Sequence, residues 1–224
     1  MKILAISDLV DERVYSEHIR VNYPEIELVL GCGDLPLYYL EFVASMLDRP
    51  VLYVRGNHDA HYEEAADGRR RTVAEGCLPI DGRLARVLGL TFIGLGGSRR
   101  YSPGPPFQYG EGQMRRRLAA LLPRLAINRL RHGRFVDVAV AHAPPYGIHD
   151  AKDPAHVGFR TFLSLMRLFR PRLLLHGHVH QWRHDRPMRS VYLETEVVGV
   201  FPVRVIEISE PPGRASVSEE THNM

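Results

Sequence analysis

The sequence holds only two cysteines, Cys32 and Cys77, and they form no C-x-x-C pair. That excludes a disulfide framework and a thiolate metal site, and it places the chain in a reducing, cytoplasmic setting. No apolar run approaches the length of a membrane span. The opening Met1-Lys2-Ile3-Leu4-Ala5-Ile6-Ser7-Asp8 brings an acid too early for the apolar region of a signal peptide. Lysine is nearly absent, with only Lys2 and Lys152, so the net charge of +3 and pI near 9.0 rest on arginine. The dense clusters are Arg69-Arg70-Arg71 and Arg115-Arg116-Arg117. Consecutive helical residues point about 100° apart, so the second cluster makes no single stripe, and a nucleic-acid partner is not expected. Gly94-Leu95-Gly96-Gly97 lacks the third glycine of a dinucleotide fingerprint, because Arg99 stands in its place. Neither an internal repeat nor a linker divides the chain. One domain over residues 1–208 is expected, followed by a disordered polar tail at 209–224.

What remains is globular in composition: 224 residues, 45% hydrophobic and 25% charged. Short apolar runs at Lys2–Ser7, Ile26–Leu30, Val51–Val54, Phe135–Ala141, Leu173–Leu175, Ser190–Leu193 and Val203–Ile208 read as strands. Arg83–Leu88 and Leu90–Leu95, split by Gly89, read as a hairpin. Helices are expected at Arg13–Asn22, Pro36–Leu47 and Phe159–Phe169, and as two pieces, Gln113–Leu122 and Leu125–His132, broken at Pro123. Tyr62–Glu75 and the proline-rich Ser102–Pro106 read as surface excursions. Strands alternating with helices predict an α/β fold with crossover connections and parallel pairing.

The chemistry concentrates where strands end. Leu173-Leu174-Leu175 runs into His176-Gly177-His178-Val179-His180, and imidazoles clustered at a strand end point to a metal. Other strands end at Asp8, Asp34, Asn57 and His142. Ligand sites of layered α/β sheets lie beyond the carboxyl ends of the strands. This donor set is too large for one tetrahedral ion. It suits two divalent metal ions about 3.5–4 Å apart, the arrangement used for phosphoryl chemistry. Oxygen and nitrogen donors without sulfur favour Mn, Fe or Zn over Mg or Ca. Taken alone, Asp34 also reads as a helix N-cap, Cys32 as a small buried residue, and His18, His132, His184 and His222 as solvated.

Gly33-Asp34, Gly56-Asn57-His58-Asp59, His142 and Gly177-His178-Val179-His180 stand in the order seen in the calcineurin-like metallophosphoesterases, which the sequence resembles from residue 8 to residue 180. His142-Ala143-Pro144-Pro145-Tyr146-Gly147 is similar to a subgroup of small, uncapped phosphodiesterase-like members. The resemblance implies a four-layer α/β/β/α sandwich with two mixed β-sheets and the metal site at strand C-terminal ends. It also implies roles. Asp34 bridges two ions; Asn57, His142 and His178 complete one shell; Asp8 and His180 hold the other ion. His58 neutralises the phosphate and protonates the leaving oxygen, Asp59 orients His58, and a bridging hydroxide is the nucleophile. The departure is Asp8-Leu9-Val10, where the family carries Asp-x-His, which leaves the Asp8/His180 ion one donor short. Asp11, Glu12, His61 or His149 is a substitute donor within reach of the sequence, and water is the other. His176 is expected to pack or hydrogen-bond behind the ligands. His156, Arg99 and, with less reason, Arg100 are candidates for contact with substrate. The implied activity is hydrolysis of a small phosphoester, a phosphodiester or nucleotide-like compound first. A phosphomonoesterase, or a degenerate metal- or nucleotide-binding protein without turnover, stands as the alternative.

Overall fold

Residues 1–64, 68–180 and 188–209 are described by a computed structural model. In chain order the elements are β1 (Lys2–Ile6), α1 (Ile19–Asn22), β2 (Ile26–Gly31), α2 (Leu37–Leu47), β3 (Val51–Tyr53), β4 (Glu63–Glu64), β5 (Arg70–Arg71) and β6 (Leu78–Pro79). There follow β7 (Leu84–Val87), β8 (Leu90–Leu95), β9 (Ser98–Arg99), β10 (Gln108–Tyr109), α3 (Glu111–His132) and β11 (Val138–Ala141). The last are α4 (Arg160–Phe169), β12 (Leu173–His176), β13 (Arg189–Tyr192), β14 (Thr195–Gly199) and β15 (Val203–Glu207).

Two mixed sheets result, ordered β15-β1-β2-β3-β6 and β13-β14-β12-β11-β8-β7. Their centres are parallel, and antiparallel strands close the edges at β15, β13 and β7. The two-residue alternation of each strand decides which layer a side chain joins. In β1, Ile3 and Ala5 enter an apolar layer shared with Val138 and Val140 of β11 and Leu173 and Leu175 of β12. Leu4 and Ile6 face the other way, onto Leu40 and Val43 of α2. Ala139 and Leu174 likewise leave the shared layer and meet Leu118 and Leu121 of α3 and Phe162 and Met166 of α4. Each fully buried Leu, Ile or Phe contributes about 1.5–3 kcal/mol relative to exposure. The two sheets are thereby held face to face, with helices on the outer side of each.

The short strands β4, β5, β6, β9 and β10 are not among the expected elements, and three larger differences have a physical reason. The helix expected at Arg13–Asn22 shrinks to Ile19–Asn22. Ser16 Oγ accepts the His18 backbone N–H at 3.1 Å, a group that a helix from Arg13 would have paired with the Val14 carbonyl. Helix α3 runs unbroken through Pro123. Its buried stripe, Met114, Leu118, Leu121, Leu125 and Asn128, continues past the proline, while Pro123 and Ala119 lie on the exposed side, where a carbonyl without a helix partner is open to solvent. Strand β14 has no counterpart among the expected strands. It pairs with β13 across a turn at Leu193-Glu194, where Leu193 adopts φ 55° without the glycine that would have marked the turn. Ser209 is described, and Arg172 donates to its carbonyl and hydroxyl. The rest of the expected tail, 210–224, and His184 and His222, lie outside the described residues.

Replacing Pro123 by alanine restores a helix hydrogen bond at a position that makes no buried contact. Pro123→Ala is expected to raise the unfolding free energy by about 2 kcal/mol. Urea titration of both proteins checks this, and an unchanged or lower midpoint refutes it.

Candidate metal centre

The five strand ends come together because the two sheets face each other in one direction. Asp8 and Asp34 leave one sheet and His142 and His178 the other, and the chain at Asp8, Asp34 and His178 turns through left-handed φ values of 67°, 54° and 68°. For residues with a Cβ each such turn costs on the order of 1–2 kcal/mol, and three around one point mark a site whose geometry is imposed by its surroundings. The imposing contacts are identifiable. Both Asp8 carboxylate oxygens accept the His178 backbone N–H, at 3.0 and 3.1 Å, which ties the sheets together. The glycines beside these turns leave room that no other residue leaves. A Cβ on Gly56 would collide with Asp34 Oδ1, and one on Gly177 with Ser7 Oγ and Asp8 Oδ2.

His142 is fully buried and its two nitrogens have separate tasks. Nδ1 donates to the Cys32 carbonyl at 2.8 Å, which fixes Nε2 as the nitrogen facing the centre. Nε2 lies 3.0 Å from Asn57 Oδ1 and 3.2 Å from Asp34 Oδ2. Burial opposes charge on this ring, but the carboxylates of Asp34 and Asp8 outweigh it and raise its pKa to about 9. Burial likewise pushes the Asp34 carboxyl up, yet His142 and the His58 backbone N–H, donated at 2.7 Å, bring it down to about 2. The place between these donors therefore favours positive charge, as a cation site must.

His178 completes the group. The facing donor atoms of Asp34, His142 and His178 all lie within 4.8 Å of one another. Its Nε2 donates to the Ala155 carbonyl at 2.7 Å, leaving Nδ1 as the lone pair for a cation, and burial lowers its pKa to about 4, so the ring is neutral. Oxygen from Asp34 and Asn57 with nitrogen from His142 and His178 is a donor set that fits Mn, Fe or Zn. Asp8 and His180 form a second, looser pair. His180 Nε2 is 3.4 Å from Asp8 Oδ1, its ring is 46% exposed, and it stacks on Phe201 with centroids 4.6 Å apart. Burial pushes Asp8 up, but its bond to His180 and the charge of His142 hold it below its ordinary value.

Several other expected residues have different surroundings from those anticipated. Asp59 does not hold His58; among the described residues no hydrogen bond joins the two side chains. Its Oδ2 instead accepts the backbone N–H groups of Gly56 at 2.7 Å and Asp34 at 3.2 Å, fastening two donor loops together. Burial pushes this carboxyl up to about 6. His58 is exposed beside Asp34. Arg99 is paired with Glu111 at 3.2 Å, and Arg100 donates to the Gln108 carbonyl and to Gln113. Val10 packs against the apolar layer under α2. The substitutes considered for it are engaged elsewhere: Asp11 with Arg13, His61 against Phe107, and His149 with His176 and Ser190, while Glu12 is exposed. His176 is buried behind His178, as a residue of that strand end should be. Burial pushes the Cys32 thiol up, which suits a packing residue and not a thiolate ligand. His18 and His132 are exposed. His156 lies at the rim, its Nδ1 2.8 Å from Asp153 and its ring 5.1 Å from that of His178.

Beside the Cys32 carbonyl and Phe201, two further contacts of the centre among the described residues lie outside the expected set. One is the Ala155 carbonyl, which no side-chain pattern can reveal. The other is Tyr101, whose hydroxyl accepts the Asn57 amide N–H at 3.2 Å; its sequence signal is its place just after the strand carrying Arg99.

Residues 1–182 match the family profile described as calcineurin-like phosphoesterase. An uncharacterized protein of Methanocaldococcus jannaschii, MJ1162, is 27% identical over 195 residues, which covers 82% of each chain. The crystal structure of TT1561 of Thermus thermophilus superposes with a TM-score of 0.59 at 18% identity, covering 88% of both chains. A second solved structure gives a TM-score of 0.58 at 15% identity over 93% of this chain and 99% of its own. Both structures share the fold.

Gly177→Ala places a methyl group against Ser7 and Asp8 and shifts the turn that aims His178. It is expected to weaken Mn binding at least tenfold, on the scale of disturbed ligand support. Calorimetric titration of metal-stripped protein reads this, and an unchanged affinity contradicts it.

Proposed function

We propose, since the chain belongs to the calcineurin-like phosphoesterase family, that it is a metal-dependent hydrolase acting on a small phosphodiester or nucleotide-like substrate. The convergence of Asp34, His142 and His178 within 4.8 Å, with Asn57 Oδ1 adjacent, carries this reading. When bound, divalent ions supply Lewis acidity toward the phosphoryl oxygens and lower the pKa of an attacking water. Asp34, Asn57, His142 and His178 would hold one ion, and Asp8 and His180, with Asp34, would hold a second, weaker one.

The remaining work falls to groups of the chain itself. His142 must release its Nε2 proton to ligate, while its Nδ1–H bond to Cys32 keeps the ring aimed at Asp34 and Asn57. His58 stands in the open next to Asp34, where it can reach an oxygen leaving the phosphorus and give it a proton. Its position derives from its backbone bond to Asp34 and from the loop that Asp59 fastens, so Asp59 supports the chemistry without touching the His58 ring. His156 at the rim is the residue placed to meet the rest of the substrate. Cysteine usage fits a cytoplasmic location.

His58→Ala is expected to leave metal content intact and lower kcat by about 10²–10⁴-fold. Asp34→Asn and His178→Ala are expected to lose both metal and turnover. Metal analysis beside assays with an aryl phosphodiester and an aryl phosphomonoester measures this. Full activity and full metal content in the last two variants sinks the proposal. A higher kcat/KM on the monoester replaces phosphodiesterase by phosphomonoesterase, and bound metal without turnover on either ester favours a binding protein.

A further inference from the structure

Tyr101 is a side chain outside the expected set that meets the centre through Asn57. Asn57 is almost fully buried, and its amide oxygen faces His142 Nε2. An amide nitrogen has no lone pair for a cation, so the oxygen is the donor on that side and the NH₂ group must point away. It points at Tyr101 Oη, 3.2 Å distant. The tyrosine oxygen is thereby an acceptor, and its own hydrogen is left to be given elsewhere. Tyr101 is 37% exposed, and His58, which follows Asn57 in the chain, is exposed too, so a ligand reaching the centre from solvent can meet that hydrogen.

The loop under Tyr101 is built to hold it still. Gln108, 4% exposed, accepts the backbone N–H groups of Tyr101 at 3.2 Å and Ser102 at 3.3 Å, and donates to Ser102 Oγ at 3.4 Å. The short parallel pair β9–β10 sets the register on either side. Gly97 donates its N–H to the Arg55 carbonyl at 2.7 Å, and its own carbonyl accepts the Ala143 N–H at 3.3 Å. The base of the loop is thus tied to the segment carrying Asn57 and to the one carrying His142. A fixed phenol, rather than a mobile one, is what preorganised stabilisation of a developing charge requires.

We propose that Tyr101 donates its hydroxyl hydrogen to a non-bridging oxygen of a phosphoryl group bound at this centre. The proposal rests on the phosphoesterase reading and adds a substrate contact to it. A neutral donor here, with Arg99 committed to Glu111 and Arg100 to Gln108 and Gln113, suits the single negative charge of a phosphodiester.

The test uses full-length protein loaded with Mn, wild type and Tyr101→Phe, titrated with inorganic phosphate in a calorimeter. Mn affinity is measured in parallel on the metal-stripped proteins. Loss of one hydrogen bond to a charged group is expected to weaken phosphate binding about 10- to 100-fold, with Mn affinity unchanged within about twofold. Equal phosphate affinity in the two proteins overturns the role of Tyr101 alone. So does a parallel fall in Mn affinity, which would mean that Tyr101 only steadies Asn57. A wild-type protein that binds Mn and no phosphate overturns the phosphoesterase reading as well.

Discussion

The structure depends on a carboxylate of one sheet meeting an imidazole of the other across the gap between them. Asp34 Oδ2 and His142 Nε2 are 3.2 Å apart, each almost removed from water. Separately, either charge would be costly to bury. Together they stabilise one another, and the carbonyl of Cys32, the amide of Asn57 and the backbone of His58 complete their hydrogen bonding. The pair can exist only if the two sheets stop at the same level with their strand ends facing. The apolar layer between the sheets, with Ile3, Leu30, Val138 and Leu175, secures that level. Packing in the core is therefore what places the polar groups.

The same dependence accounts for the strained turns. Asp8, Asp34 and His178 occupy backbone conformations that isolated chains avoid, and each is over-determined by hydrogen bonds from another loop. Asp59 illustrates how this is done. Its carboxylate holds Gly56 and Asp34 by their backbones and so fastens two loops together. The consequence for the chemistry is indirect but strong, because both loops carry donors.

Much of the fold is legible in the sequence because it follows from local patterns. Runs such as Ile3–Ile6 and Leu173–Leu175 are apolar on both sides, as buried parallel strands must be, and a polar residue, Ser7 or His176, follows each where the sheet ends. The polar residues gathered there are legible for the same reason: Asp34, Asn57 and His178 each follow a glycine just past the end of a strand. What escapes is set by long-range contacts. Pro123 has the look of a break, and burial of Leu121 and Leu125 overrides it. Nothing in the run from Thr195 to Gly199 announces a strand until β12 and β13 are there to pair with it. Arg99 is well placed in sequence to meet a phosphate, but Glu111, at the start of α3, accepts from it and from the first turn of α4. Tyr101 escapes because a tyrosine in a proline-rich loop has no pattern, and its importance is a property of Asn57, far away in sequence.

The inequivalence of His178 and His180 follows from these constraints. His178 is buried, neutral and held through its far nitrogen by the Ala155 carbonyl, so its ring is already ordered. His180, two residues on, is half exposed, leans on Phe201 and faces Asp8. The residue that would complete its side of the centre is Val10, and valine has taken the apolar option of packing beneath α2. Restoring a histidine at that position would place a polar ring against an apolar layer, unless a cation drew it outward. Val10 thus belongs to the packing of the first loop, whereas Asp34, His142 and His178 are brought together by the two sheets themselves.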